Sequence, residues 1–217
     1  MPRESQEHKK SRANKIIALL RKRYPNAKCA LNFGNVHQLM VATILSAQCT
    51  DTRVNIVTKD LFQKYRSIKD FADANISDLE NDVRTTGFFR NKAKSIQRSA
   101  QQLIEEYGGE IPRTLEKLIK LAGVGRKTAS VILGTGFGIA EGIVVDTHVS
   151  RISRLLGLTN KTDPIKIEQE LMQTIPKKDW IDFSHLLINH GRAICIARRP
   201  KCPQCPVNKL CPSARLD

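Results

Sequence analysis

Four cysteines crowd the C-terminal end of this chain: Cys195, Cys202, Cys205 and Cys211, in the spacing C-x6-C-x2-C-x5-C. Pro200, Pro203, Pro206 and Pro212 stand among them, so the segment is no regular helix, and it has few apolar side chains to bury. Four thiolates around a metal would hold it. The donor set suits either a four-iron cluster or a structural zinc. Zinc sites more often pair two short knuckles across a long gap, whereas this segment has one knuckle between two wider loops, which favours the cluster and leaves zinc and unliganded thiols as alternatives. Arg198, Arg199 and Lys201 lie between the first two ligands. A metal-stiffened loop would present them to phosphates; a solvated basic turn is the competing reading. Cys29 and Cys49 lie far from the group and read as small core residues or free thiols.

A second set of residues centres on an amine. Leu121-Ala122-Gly123-Val124-Gly125-Arg126-Lys127-Thr128-Ala129 reads as helix, tight glycine turn, helix. Gly123 and Gly125 are free to take backbone angles other residues avoid, and the N–H groups opening the second helix can then bind a phosphate. Lys127 falls in the first turn of that helix, where the partial positive charge of the helix end disfavours an ammonium and pushes the lysine pKa down. Such an amine is a candidate nucleophile able to form a Schiff base; a cation that only contacts phosphate is the alternative. Asp146 follows the apolar run Ile143-Val144-Val145 and precedes Thr147-His148-Val149. It reads first as a helix N-cap, and also as a carboxylate able to face a cleft and stabilise positive charge.

The elements that must position these groups are helical nearly throughout. Apolar residues recur at helical spacing: Ile16, Ile17, Leu19, Leu20 and Tyr24; Leu39, Met40, Thr43 and Ile44; Val54, Val57, Leu61, Phe62 and Tyr65 behind a cap at Thr50 or Asp51. Ser77 and Glu80 have capping-box spacing. A long stripe, Ala93, Ile96, Ala100, Leu103, Ile104 and Tyr107, runs into Gly108-Gly109 as a stop. Leu115, Leu118, Ile119 and Ala122 follow Thr114; Asp163-Pro164 opens another helix that Pro176 ends; Trp180, Phe183, Leu187 and Ile188 mark one more. Gly142 to Val145 could be extended but is too short for a sheet, so the class is all-α, with about ten helices. The 36 Lys and Arg against 21 Asp and Glu leave a net charge of +15 on 217 residues, which suits a polyanionic partner. The chain opens on polar residues, and its most apolar stretch, Val131 to Val145, is broken by Thr135, Glu141 and glycines. The expectation is therefore a cytoplasmic, nucleoid-associated protein with no membrane span, whose cysteines serve a metal rather than disulfides.

Four motifs together resemble the endonuclease III family, in the same order from about Asn14 to Cys211. The glycine hairpin resembles its helix–hairpin–helix; Val145-Asp146-Thr147-His148-Val149 its catalytic-aspartate segment; His190-Gly191-Arg192 with the four cysteines its iron–sulfur loop; Leu45-Ser46-Ala47-Gln48-Cys49-Thr50-Asp51 its early helix–turn segment. The resemblance implies a helix–hairpin–helix DNA glycosylase fold of two helical lobes with a DNA cleft between them. Residues 29–139 would form a six-helix barrel; residues 1–28 and 140–217 would form the second lobe, with a 4Fe-4S cluster held in the 195–211 loop. It also implies a monomeric, bifunctional DNA glycosylase/AP lyase of base excision repair, acting on double-stranded DNA with a damaged or abasic site. Oxidised pyrimidines such as thymine glycol would be flipped out and removed. Lys127 would attack the sugar C1′, and the Schiff base would allow β-elimination; Asp146 would stabilise the cationic sugar. Gln48 would fill the gap left by the flipped nucleotide and Phe88 would act as a wedge, a position often held by leucine; simple core packing is the other reading of Phe88. Gly123, Val124, Gly125 and Arg126 would meet the DNA backbone, and Ser46, Asp51, His148 and Arg192 would line the pocket and cleft. Three departures bear on substrate preference. Ala122 replaces the usual proline, which should loosen the turn, Ile119 stands where some members carry a pocket glutamate, and the interval from Lys127 to Asp146 is one residue longer than in some members. The alternatives are another glycosylase of the superfamily, or a monofunctional or degenerate helix–hairpin–helix DNA-binding protein with a structural metal.

Overall fold

The computed structural model describes residues 4–216, and these are helical, with no strand among them. In chain order the α-helices are α1 (Gln6–Arg23), α2 (Val36–Leu45), α3 (Asp51–Lys64), α4 (Ile68–Ala72), α5 (Ile76–Asp82), α6 (Phe89–Tyr107), α7 (Leu115–Leu118), α8 (Arg126–Val131), α9 (Thr147–Leu155), α10 (Pro164–Thr174) and α11 (Trp180–Ala193). Their contacts divide the chain into two compact units. One is Ala30–Glu141; the other joins the chain up to Cys29 to the chain from Gly142 onward.

In the Ala30–Glu141 unit, α2 is buried all round from Leu39 to Leu45 and forms the centre of the core. The helices around it are short, so little of their stability is intrinsic. α2, α3 and α4 begin on side-chain caps, where Asn35 accepts from the Gln38 N–H, Thr50 from Arg53, and Ser67 from Asp70, whereas α6, α7 and α8 have no side-chain cap bond, Thr114 included. The reciprocal capping box sits at Ser67 and Asp70 rather than at Ser77. Asn75 reaches the N–H groups of both Ser77 and Asp78 and starts α5 before Ser77, which leaves Ser77 inside the helix.

The long helix α6 ties this unit together. Its apolar stripe of Ala93, Ile96, Ala100 and Leu103 is buried, while Ile104, expected on the same face, is exposed at its edge. Its polar side chains reach the carbonyl oxygens of neighbouring segments: Gln97 Nε2 donates to Ala74 O at 2.7 Å, Gln101 Nε2 to Ala72 O at 3.3 Å and Gln102 Nε2 to Lys120 O at 3.2 Å. These satisfy carbonyls that short helices and tight loops leave without partners. Gly108, with φ of 61°, ends the helix as expected.

In the second unit, Ile16 and Leu20 of α1, Val149 and Ile152 of α9, Ile167 and Leu171 of α10 and Phe183 and Leu187 of α11 share one core. Leu19 turns outward, one residue off that face. Arg12 binds the carbonyls of Leu156 at 2.6 Å and Leu210 at 3.1 Å and pairs with Glu4. It thereby anchors both the end of α9 and the C-terminal loop to α1. No helix among the described residues is long and apolar enough to cross a membrane.

His37, in the first turn of α2, packs edge-on against Phe71 with ring centroids 5.4 Å apart, and Phe71 stacks on Tyr65. Burial pushes the His37 pKa down to about 4. The unfolded chain therefore binds a proton near pH 6.5 that the folded chain refuses until about pH 4, so this site's contribution to stability falls as pH drops through that window. Between pH 7 and 5 the loss from His37 is about 2 kcal/mol. Urea unfolding at the two pH values should show that His37→Phe flattens this dependence.

Candidate functional site

The glycine hairpin lies between α7 and α8 in the Ala30–Glu141 unit. Gly123 has φ of +74°, and a methyl group on it would lie 2.6 Å from Ser95 Cβ, so glycine is required both by the backbone and by the close approach to α6. Gly125 differs from expectation: its backbone is ordinary and extended, and a Cβ there would meet nothing within 4 Å. What its missing side chain provides is open space at the start of α8. Val124 is 3% exposed and its N–H donates to Leu121 O, so it holds the turn from inside. Arg126 and Lys127 follow on the exposed first turn of α8. Ala122 does not leave the turn loose. Its N–H donates to Gln102 Oε1 at 2.8 Å while the same amide donates to Lys120 O, so one α6 side chain clamps both sides of the loop. Beyond α8 the chain continues as a π-helical turn, Ile132–Gly136. Such a turn holds one residue more than an α turn.

Gln48 and Phe88 are brought together with the hairpin. Both are exposed, and they are the non-glycine residues with positive φ among the described residues, at 52° and 47°. They line a cavity of about 260 Å³ with Ala47, Asn91, Lys92, Ser95 and Gly123. Phe88 is 66% exposed, which rules out core packing as its role. Ser46 donates its hydroxyl to Thr43 O at the end of α2, and Asp51 is the half-buried first residue of α3. Lys92, which sequence reasoning passed over, is 5% exposed, and burial pushes its pKa down. Cys49 is not buried, and neither is Cys29 in the other unit, so the reading of both as core residues does not hold.

In the second unit Asp146 is the N-cap of α9. One carboxylate oxygen accepts from the Val149 N–H at 2.7 Å and the other faces His148 Nδ1 at 3.2 Å. Both sequence readings of this residue therefore remain open to it: it caps, and its side chain is still 16% exposed. The His148 ring is seated by Gly191 of α11, where a Cβ would lie 2.7 Å from His148 Cδ2 and 2.9 Å from Ile152 Cδ1. Arg192 lies exposed on the next residue.

Cys195, Cys202, Cys205 and Cys211 together line a cavity of about 400 Å³. The loop that carries them closes through the Lys201 N–H to Ile194 O, and the buried Val207 pins it to the core. Arg198, Arg199 and Lys201 are exposed on it. Among the described residues no three His, Cys, Asp or Glu side chains converge closely enough for one metal ion. Burial, with the neighbouring thiols, pushes the Cys205 and Cys211 pKa values up, and positive charge in the cavity would favour the thiolate form of these two. Two side chains, Arg151 and His190, already face the sulfurs. Arg151 donates to Cys195 O at 2.6 Å and lies 3.6 Å from its Sγ. His190 is neutral, its pKa pushed down to about 4 by burial and then by Arg151. The Tyr24 hydroxyl lies 3.1 Å from its Nδ1, and its Nε2 lies 3.5 Å from Cys205 Sγ. The sequence signalled His190 only through its place before Gly191-Arg192.

Residues 41–177 match the model of the HhH-GPD superfamily base excision DNA repair proteins. Over 207 residues the chain is 52% identical to Endonuclease III of Synechocystis sp., covering 95% of this chain and 94% of that protein. This chain belongs to the endonuclease III family. Endonuclease III of Bacillus subtilis is 47% identical over 87% of this chain and 86% of its own length. Two solved structures are each 43% identical: a non-covalent Endonuclease III–DNA complex, with a TM-score of 0.89 over 94% of this chain and 95% of that one, and a trapped Endonuclease III–DNA covalent intermediate, with 0.88 over 94% and 96%. As a member of the endonuclease III family the chain is a DNA glycosylase/AP lyase of base excision repair.

The seating of His148 gives a direct test. Gly191→Ala should cost about 1–3 kcal/mol by overpacking α11 against α9, read by urea unfolding, and should lower turnover on damaged DNA by moving His148 off Asp146. Removing the ring as well, in Gly191→Ala with His148→Ala, should return part of the stability but not the turnover.

Proposed function

We propose that this enzyme removes oxidised pyrimidines, thymine glycol among them, from duplex DNA through a covalent intermediate on Lys127, and then nicks the strand. The observation that carries the reading is the exposed lysine beside the open space at Gly125, in a chain 43% identical to a relative solved as a trapped covalent intermediate with DNA. The Lys127 amine attacks C1′ of the damaged nucleotide; the C1′–N bond breaks and the base leaves with its electron pair and takes up a proton. The sugar opens to a Schiff base. Loss of a proton from C2′ then expels the 3′ phosphate, and water releases the lysine. Asp146 stabilises the positive charge that develops on the sugar, held in place by its N-cap bond to Val149. Gly123, Gly125 and Arg126 meet the DNA backbone, with Val124 supporting the turn from within. Gln48 and Phe88 enter the duplex as gap-filler and wedge. Ser46, Asp51, His148 and Arg192 serve the pocket, and Arg198, Arg199 and Lys201 bind phosphate. The enzyme acts as a monomer in the cytoplasm.

The four cysteines hold a 4Fe-4S cluster in this reading; it supplies positive charge that favours the thiolates and stiffens the basic loop. One short Cys-x-x-Cys knuckle between two wider loops, with all four cysteines lining one cavity, supports a cluster over a single zinc. Purified protein should carry about four irons per chain with matching acid-labile sulfide; a stoichiometric zinc instead would overturn the assignment.

Borohydride trapping on a thymine glycol duplex should give a covalent adduct with wild type and none with Lys127→Ala. Asp146→Asn keeps a good N-cap but loses the charge, and should slow base removal about a hundredfold with little change in melting temperature. A wild-type protein that binds damaged and abasic duplexes yet is never trapped would exclude the lysine mechanism.

A further inference from the structure

Lys92 is a buried ammonium in the first turns of α6, and it is not part of the chemistry described above. Its Nζ donates to Leu45 O at 2.9 Å and to Thr86 O at 2.7 Å. Leu45 ends α2 three residues before Gln48; Thr86 ends a 3-10 turn two residues before Phe88. Both carbonyls lie at helix ends, where intrahelical partners are lacking and the dipole favours a cation. One charged group thus joins the two segments that carry the two left-handed side chains.

That backbone conformation is not a local preference of glutamine or phenylalanine, so it persists only where the surroundings impose it. Lys92 lines the cavity between them, with Asn91 and Ser95 from the same helix and Gly123 from the hairpin.

We propose that Lys92 is a positioning residue that fixes the separation of Gln48 and Phe88, so that both enter the DNA duplex as one preorganised pair around the extruded nucleotide. The inference rests on the reading of Gln48 and Phe88 as gap-filler and wedge. Its chemical content is that a neutral side chain of equal length cannot do the same. Without the ammonium, two buried carbonyls at the cavity wall lose their partner, and the loops bearing Gln48 and Phe88 relax separately. The cost then falls on duplex substrates, where a partner strand has to be propped open. An unpaired strand makes no such demand.

The test compares processing of a thymine glycol duplex with lyase cleavage of an unpaired strand carrying one abasic site, in Lys92→Met, Lys92→Gln, Gln48→Ala and the double variant Lys92→Met with Gln48→Ala. Far-UV circular dichroism reports folding. The duplex-to-single-strand rate ratio should fall at least about tenfold in Lys92→Met, and the double variant should fall no further than about twofold below Gln48→Ala, since Lys92 acts through the same pair. If Lys92→Met does not fold, Lys92→Gln, which retains one donor, decides by the same ratio. An unchanged ratio in a folded Lys92 variant, or losses that multiply in the double variant, overturns the positioning role. A normal ratio in Gln48→Ala instead removes the gap-filling reading itself. A lowered ratio there, with an unaffected Lys92→Gln, leaves that reading standing and overturns only the part given to Lys92.

Discussion

Carbonyl oxygens at the ends of short helices must find donors, and in this protein much of the architecture follows from where those donors come from. In the Ala30–Glu141 unit α4, α5, α7 and α8 are each too short to hold themselves. Side chains of α6 supply bonds to Leu45, Ala72, Ala74, Thr86 and Lys120. The helix works as a rack with a row of donors, and the loops that carry Gln48, Phe88 and the glycine hairpin hang from it. A glycine at 123 lets the hairpin sit directly against Ser95 of the same helix. Because the functional loops share one support, their mutual spacing is set by a single rigid element.

The second unit meets the same demand with arginines and a cavity of sulfurs. Arg12 and Arg151 bond the carbonyls of Leu156 at the end of α9 and of Leu210 and Cys195 in the proline-rich segment, which has no regular helix. At Asp146 the bond that starts α9 also fixes the direction of the carboxylate, and Gly191 gives the neighbouring His148 its place. The thiols, raised by burial, call for the cationic group that would also tie the last turns of the chain to its core.

The residues that carry the family resemblance and the helical class were readable because they depend on local signals: the Gly-x-Gly turn, the cysteine spacing, the 3.6-residue stripes and the cap at Thr50. What could not be read depends on long-range packing. Lys92 is one of 36 basic residues in the sequence and becomes distinctive only when Leu45, 47 residues away, is seen beneath it. Gly191 looked like a motif letter, and its reason is the ring of His148. Gly125 and Ser77 differ from their sequence expectation for the same cause: residue type suggests a backbone role that a neighbour, Gly123 or Asn75, already fills. Leu19 and Ile104 fit the apolar period yet fall at the margin of their faces, where a drift of one position decides burial.

The Gln102 clamp has a consequence for sequence change in the hairpin. Its amide meets a donor at Ala122 and an acceptor at Lys120, so positions 102 and 122 are read together. A proline at 122 would stiffen the loop in isolation but would delete the N–H that Gln102 accepts from and leave its oxygen facing a ring. Position 122 is therefore epistatic to position 102. Proline at 122 is favourable only with a compensating change on α6, and an engineered chimera that exchanges the hairpin without the helix would separate two halves of one hydrogen-bonded unit.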